Sequence, residues 1–305
     1  MVILDLVIKC ALPNLVTGEF LAPDRFGIIG TCPKKNQNVS CSSHGFDVEF
    51  IMGKIQSKFH LQAKRLGLVD AIPENARVLE VGPFGNPTLR GSNVSYFDVL
   101  TTEELCIRAV EHQHDPEAVP YIDFVSPNGD LSVVDGSFDI VFSAHCLEHQ
   151  PDLIHHINQV NELLVPGGKY FLVLPDKRYC FDHFFSVSNI GDVLQAHRER
   201  RTVHTISSVI ESVLGTHNRK KRHWLGLHGR PGWQVANIGT IKETLESFDA
   251  ANGGYIDVHA WQFIPASFLA LMTQLHELGM MGMQPVQVCA TPLGRREFTA
   301  VLQKK

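Results

Sequence analysis

Three things are missing from this sequence, and each absence narrows the answer. No two of the seven cysteines (10, 32, 41, 106, 146, 180 and 289) form a C-x-x-C pair. Their odd number and wide scatter argue against a disulfide framework and for a reducing, cytoplasmic setting. No apolar run is long enough to cross a bilayer, because the start, MVILDLVIKCALPNLV, is broken by Asp5 and Lys9. It also lacks the layout of a signal peptide. There is no excess of positive charge: the net charge is −5, so nothing draws the whole chain toward nucleic acid or a membrane surface. What remains is a soluble globular composition, 44% hydrophobic and 19% charged. The 305 residues suffice for one large domain or two small ones, with a sizeable core and no staples.

Residues 1–45 are weakly patterned and are expected to form an N-terminal arm of unknown role. Cys32, Cys41 and His44 match no standard zinc spacing and lack a fourth ligand nearby, so a connector is expected there. A helical pattern covers Phe46 to Leu68, after which strands and helices alternate. Strands are predicted at 76–82, 94–100, 121–125, 137–145 and 169–176, with helical segments at 102–114 and 151–168. This alternation predicts a parallel sheet with helices on both faces. Residues 178–255 break the rhythm and read as an inserted helical cap, with helices at 190–201 and 204–215. A helix from Pro265 to Leu278 then leads to two terminal strands, PVQVCAT and EFTAVLQ. Their short link, PLGRR, makes them a hairpin, the one antiparallel element. No internal repeat is present.

The first strand ends in LEVGPFGNPTL, which contains Glu80, Gly82, Gly85, Asn86 and Pro87. Glycine lets backbone approach a ligand closely. Asp98 ends the second strand, 18 residues after Glu80, where a carboxylate suits paired ribose hydroxyls. The third glycine of G-x-G-x-x-G is replaced by Pro87-Thr88, and proline belongs in the first turn of a helix. An E-x-G-x-x-G run is weak evidence alone. Joined to Asp98, the DGSFD turn and the terminal hairpin, it is a strong constellation.

On these residues the chain resembles the class I S-adenosylmethionine-dependent methyltransferases. VLEVGPFGNPTL is similar to their first motif, and DGSFDIVFSAHCLEHQPD through ELLVPGGKYFLVLPD to their fourth-strand, helix and fifth-strand block. The resemblance covers about residues 46–305. PDKRYCFD and YIDVHAWQFIPASFLALM resemble a narrower group associated with bacterial polysaccharide and glycan modification. The resemblance implies a Rossmann-like α/β fold: a seven-stranded, mostly parallel, doubly wound sheet with a terminal hairpin. It implies that Glu80, Gly82 and Gly85 line the methionine part of S-adenosylmethionine and that Asp98 holds the ribose. The adenine contact would fall to Asn128, Asp130 or their neighbours, in a stretch that departs from the usual spacing.

Methyl transfer is an in-line displacement, and alignment alone supplies up to about 7–11 kcal/mol in good cases. A hydroxyl acceptor additionally needs a base or a metal; an amine or thiolate needs neither. That directs attention to SAHCLEHQPD, residues 143–152, at the carboxyl end of the fourth strand, where ligands bind in such sheets. A helix beginning there would place His145, Glu148 and His149 on one face. Three readings stand together: Glu148 and His149 cap and pack a helix start; His145 or His149 is a general base; or His145, Glu148 and His149 bind a divalent metal, magnesium or manganese. Ubiquinone-pathway O-methyltransferases, similar in this block, carry E-x-x-E-H as a metal site, but this chain has His in place of their first Glu. H-x-x-E-H also resembles a zinc-peptidase motif, against which the strand context and the cofactor loop argue.

Asp176, Lys177 and Arg178 end the fifth strand and Asp182 and His183 follow, while Asp257, His259 and Trp261 alternate along IDVHAWQF. Asp176 and His259 are expected to support acceptor binding. Residues 195–230 hold eight Lys or Arg, five His and two Glu. Such a patch suits an anionic acceptor such as a uronic acid or a nucleotide sugar, or is simply a solvated face. It lacks the interleaved aromatics of a nucleic-acid surface. The expected reaction is methylation of a sugar or glycan hydroxyl. The alternatives are N-methylation of an aminosugar or small molecule, and an inactive cofactor-binding scaffold. A nicotinamide dehydrogenase is disfavoured because no tyrosine is followed by lysine four residues later. Oligomeric state is not readable from these patterns.

Overall fold

The computed structural model describes residues 67–215, 220–235 and 237–305. The arm at 1–45, nearly all of the helix predicted from Phe46 to Leu68, and residues 216–219 of the basic segment lie outside the described residues.

A run of four buried residues, Val78–Val81, forms β1 at the centre of the sheet. Strands buried on both faces read as near-continuous apolar runs; β1 is broken only by Glu80, and β4 (Phe138–Ala144) only by Asp139 and Ser143. The others are β2 (Val94–Asp98), β3 (Phe124–Val125), β5 (Leu164–Pro175), β6 (Met283–Cys289) and β7 (Glu297–Lys304). The seven strands run in the order β3-β2-β1-β4-β5-β7-β6. β7 is antiparallel to both β5 and β6, so it alone opposes the other six. This is the expected doubly wound α/β sheet with its terminal hairpin, and β7 has slipped between β5 and β6.

Alternate residues of one strand serve the two faces. Leu79, Val81, Val141, Leu172 and Leu174 enter one core cluster, whereas Val78, Ile140, Phe142, Phe171 and Val173 enter another. Helix α1 (Thr102–Glu111) opens on a capping box in which Thr101 and Glu104 satisfy each other's backbone N–H groups. Helix α2 (Leu153–Leu163) is capped by Asp152, which accepts from His155 N, and buries Leu153, Ile154, Ile157 and Val160. Between β5 and β6 lie α3 (Ile190–Glu199), α4 (Ile206–Leu214), α5 (Lys220–Trp224), α6 (Gly232–Val235), α7 (Ile238–Ala251) and α8 (Pro265–Glu277). Helices α4 and α7 pack together. Among the described residues no helix is long and apolar enough to cross a membrane.

Four local expectations change. No helix opens at Pro87; residues 82–93 link β1 to β2 through turns alone. Only 12 residues separate the two strands, and the Glu80 carboxylate folds the segment back by accepting from Thr88 N and Leu89 N. Strand β5 starts at Leu164, so Pro166-Gly167-Gly168 belongs to the strand and its irregular pairing with β4, not to a helix stop. Strand β3 shrinks to two residues. Helix α7 was not foreseen, although Asn237 caps it and Asn252 ends it in a left-handed conformation, both ordinary boundary signals.

Helix α2 also buries His156, whose Nε2 lies 3.1 Å from the Tyr170 hydroxyl. Burial drives this imidazole down to about 3. Unfolded, it would protonate near 6.5. Between those values the unfolded chain binds a proton that the folded chain refuses, so stability falls as pH is lowered. We expect His156→Leu to remove about 1.4 kcal/mol per pH unit from the acid slope of stability between pH 6 and 4. Urea unfolding across that range measures it; an unchanged slope would mean that His156 is protonated in the fold.

Candidate active site

The site is built at the carboxyl ends of β1, β2 and β4. After β1, Gly82 takes φ 70° and its N–H donates to Phe97 O. A Cβ there would make ordinary van der Waals contact with Cys146 Sγ at 3.5 Å, so it is the left-handed conformation that disfavours any side chain. Gly85 is tight for a different reason, since its Cβ would stand 3.3 Å from Ala109 Cβ on α1. Glu80 is buried, and its two oxygens are engaged by Thr88 N at 2.7 Å and Leu89 N at 2.9 Å. Burial raises its carboxyl to about 7 against the pull of those amides. Glu80 therefore shapes the cradle. Asp98, also buried and shifted upward by burial, accepts from Leu100 N at 3.1 Å at the end of β2.

Two of the predicted residues sit elsewhere in this region. Asn128 Oδ1 accepts from Ser126 Oγ, and Asp130 caps the turn at Leu131–Val133 and accepts from Gln159. They border a small cleft shared with Gln150, His155 and Arg201.

At the end of β4 the chain does not enter a helix at once. His145 adopts a left-handed φ of 54°, a short 3-10 turn follows at Leu147–His149, and α2 begins only at Leu153. His145, Glu148 and His149 thus meet through a strained corner rather than a helical face. His145 is held between two carboxylates, with Nδ1 3.4 Å from Glu148 and Nε2 3.3 Å from Glu297 on β7. Burial alone would lower its pKa, but Glu148 and Glu297 together raise it to about 9. Glu297 is correspondingly held down, to about 2, against its own burial.

Glu148 lies at the centre. It is completely buried, and neither carboxylate oxygen has a hydrogen-bond partner. Burial would raise its pKa, yet His145, His149 and His259 hold it low. Its Oε1 is 3.9 Å from His149 Nε2 and 3.9 Å from His259 Nε2. The far nitrogen of each imidazole faces another carboxylate. His149 Nδ1 stands 2.9 Å from Asp257, an ion-pair contact short of an aligned hydrogen bond. His259 Nδ1 donates to Asp182 at 2.6 Å. Asp257 also accepts from Arg108 of α1 at 3.0 Å and is kept well below the usual carboxylate range by His149 and Arg108, against partial desolvation of its half-exposed side chain. The 259–261 segment is pinned to this corner by Ala260 N and Trp261 N, which donate to Glu148 O, and by Trp261 Nε1, which donates to Gln150 O.

Other predicted residues take supporting places. Asp176 is buried, and its carboxylate accepts from Arg178 and from Thr291 Oγ1. Lys177 is neither a free anion binder nor a solvated strand end: it is buried, and Nζ donates to His183 O. Trp261 belongs to the core. Arg108, Glu297 and Cys146 were missed. Arg108 looks like any surface helix residue, and only the fold reveals that it reaches Asp257. For Glu297 a faint signal existed, an acidic residue opening an otherwise apolar strand.

A buried carboxylate at the end of β2, a left-handed glycine after β1 and a loop clasped by Glu80 are compatible with S-adenosylmethionine. Together with the sheet order they define an S-adenosylmethionine-dependent methyltransferase. A family model described as a methyltransferase domain matches residues 54–249, and the chain belongs to that family. No curated protein matches the sequence. Solved structures similar to it include the CcbJ methyltransferase from Streptomyces caelestis (13% identity, 82% of this chain and 95% of that chain, TM-score 0.40). Magnesium protoporphyrin IX methyltransferase from Synechocystis is another (11% identity, 87% and 90% covered, TM-score 0.37). A methyltransferase from Thermotoga maritima described as a possible histamine N-methyltransferase is a third (12% identity, 85% and 96% covered, TM-score 0.39). Such remote likenesses do not bear on substrate.

Gly82→Val is expected to weaken S-adenosylhomocysteine binding at least about 10-fold, since it adds left-handed strain of about 1–2 kcal/mol and sets a branched side chain against Cys146. Calorimetric titration tests this; wild-type affinity would show that the ligand does not pass Gly82.

Proposed function

We propose that the protein methylates a hydroxyl of a sugar or glycan, and that the imidazole–carboxylate cluster around Glu148 activates that hydroxyl. S-adenosylmethionine, when bound, supplies an electrophilic methyl group and departs neutral, so no acid is needed. In this reading Glu80, Gly82, Gly85 and Asp98 hold it, and Asn128, Asp130 or their neighbours would take the adenine. The observation that carries the reading is the pairing of His259 with Asp182, 2.6 Å apart, beside the unpartnered Glu148. An amine or thiolate acceptor would not need such a device; a hydroxyl does. Asp182 fixes the His259 tautomer, leaving Nε2 as the basic nitrogen, while His149 and Asp257 complete the wall.

Residues 178–255 act in this reading as a cap. His204, at the start of α4, lies 5.4 Å ring to ring from Tyr255, next to Asp257. The basic side chains of the cap, Arg198, Arg200, Arg222 and Arg230, favour an anionic acceptor over a neutral one. A cytoplasmic setting agrees with the scattered cysteines, four of which are free in the described residues. The test is transfer of labelled methyl from S-adenosylmethionine to a panel of uronic acids, nucleotide sugars, aminosugars and neutral sugars, with the product located by mass spectrometry. Methyl on oxygen supports the proposal. Methyl on an aminosugar nitrogen overturns it in favour of N-methylation, and cofactor binding without transfer to any acceptor favours a scaffold.

A further inference from the structure

We propose that Glu148, His149 and His259 hold a divalent transition-metal ion of the zinc type. The catalytic use of that ion rests on the hydroxyl-methylation reading; its binding does not.

The first support is convergence. One donor atom from each of the three residues lies within 4.8 Å of the other two. Both His149 Nε2 and His259 Nε2 are 3.9 Å from Glu148 Oε1. Ligands about 2.1 Å from a tetrahedral ion stand about 3.4 Å apart, so each of those pairs need close by only about half an ångström.

The second support is the outer layer. An imidazole that binds a metal through one nitrogen usually gives its other N–H to a carboxylate, which fixes the ring and raises its basicity. His259 has that partner in Asp182, and His149 has Asp257 2.9 Å from its second nitrogen, short of an aligned hydrogen bond. A histidine serving only as packing has no need of it.

The third is the condition of Glu148. A fully buried carboxylate with neither oxygen hydrogen-bonded is costly unless something else compensates it.

Donor chemistry selects among ions. Two imidazoles and one carboxylate suit zinc and its neighbours, whereas magnesium prefers oxygen throughout. This differs from the His145-containing magnesium or manganese site that the sequence suggests, because the donor atoms that converge belong to Glu148, His149 and His259 and not to His145. Three protein ligands leave a coordination position open, the arrangement of catalytic rather than structural zinc. An acceptor hydroxyl bound there would lose its proton more readily.

The experiment uses the full chain, stripped with chelator and titrated calorimetrically with zinc chloride, with cobalt(II) absorption as a coordination readout. S-adenosylhomocysteine is titrated in parallel. We expect one equivalent of zinc bound at micromolar affinity or tighter. Glu148→Gln and His259→Asn should each lose at least about 100-fold, and Asp182→Asn about 10–100-fold. Thermal melting and S-adenosylhomocysteine affinity near wild type would show that these variants remain folded. Should Glu148→Gln unfold, His259→Asn and the cobalt spectrum carry the test. Absence of zinc binding while S-adenosylhomocysteine still binds overturns the metal site and leaves the methyltransferase reading standing. Zinc binding that survives Glu148→Gln and His259→Asn but is lost in His223→Ala also overturns it, placing the ion at the separate group His183, His223 and His228. Zinc binding with product methylated on nitrogen keeps the site and removes only its hydroxyl-activating role.

Discussion

Replacing His259 by alanine is expected to lower the rate of methyl transfer by about 10²–10⁴ while leaving S-adenosylhomocysteine affinity within about three-fold of wild type. The separation of the two readouts follows from placement. His259 reaches the site from the segment before α8 and touches Glu148 and Asp182; neither belongs to the β1–β2 cradle. The prediction holds whether His259 takes the proton itself or holds an ion that makes the hydroxyl more acidic. His149→Ala should behave in the same way, because His149 faces Glu148 through Nε2 as His259 does. His145→Gln is expected to cost less. At pH 7 an imidazole raised to about 9 carries a proton and cannot accept another. Glutamine can still bridge from Glu148 toward Glu297. The measurement is single-turnover transfer for the three variants side by side. If His145→Gln alone abolished transfer and His259→Ala did not, the site would be centred on the wrong imidazole.

That ordering of the histidines marks the boundary between what was legible in the sequence and what was not. The sheet was legible because strand burial and glycine placement are local properties, and the terminal hairpin announced itself by a five-residue link. The placement of Gly82 just after one strand and of Asp98 at the end of the next followed in the same way. The H-x-x-E-H stretch was visible, but its geometry was not. A helix was the natural reading of 145–149, and the left-handed turn at His145 replaces it. No spacing rule connects Glu148 to His259, 111 residues away, or His259 to Asp182, 77 residues away. Those pairs arise because the segment before α8 is hydrogen-bonded to the 148–150 turn through Ala260, Trp261 and the indole N–H. Helix α7 was missed although its caps were readable, since the surrounding basic loop made the whole stretch look irregular.

Asp176, expected from the sequence to support acceptor binding, also makes a set of scaffold contacts, and its removal separates the two tasks. Asp176→Ala is expected to destabilise the protein by about 2–3 kcal/mol, a fall in melting temperature of roughly 5–10 °C. It should leave S-adenosylhomocysteine binding unchanged and methyl transfer, measured well below the new midpoint, within an order of magnitude. Its carboxylate is fully buried and accepts a paired bond from Arg178 (Nε to Oδ1 at 2.9 Å, the terminal nitrogen to Oδ2 at 2.6 Å). Thr291 Oγ1 donates to Oδ2 at 2.5 Å, and Arg178 N donates to Oδ1 at 3.0 Å. These bonds tie the end of β5 to the β6–β7 link. Breaking a fully buried ion pair typically costs about 3–5 kcal/mol, but the Arg178 side chain is 45% exposed and can return to water, which lowers the expected loss. Thr291 and the Arg178 amide cannot relax so easily, and their lost partner accounts for most of what remains. Asp176→Asn should recover part of the stability, because an amide oxygen can still accept from Arg178. Differential scanning calorimetry of both variants, with transfer rates taken at a temperature where each is folded, decides the matter. A loss of transfer by several orders of magnitude in a variant that melts normally would move Asp176 from the scaffold into the acceptor site.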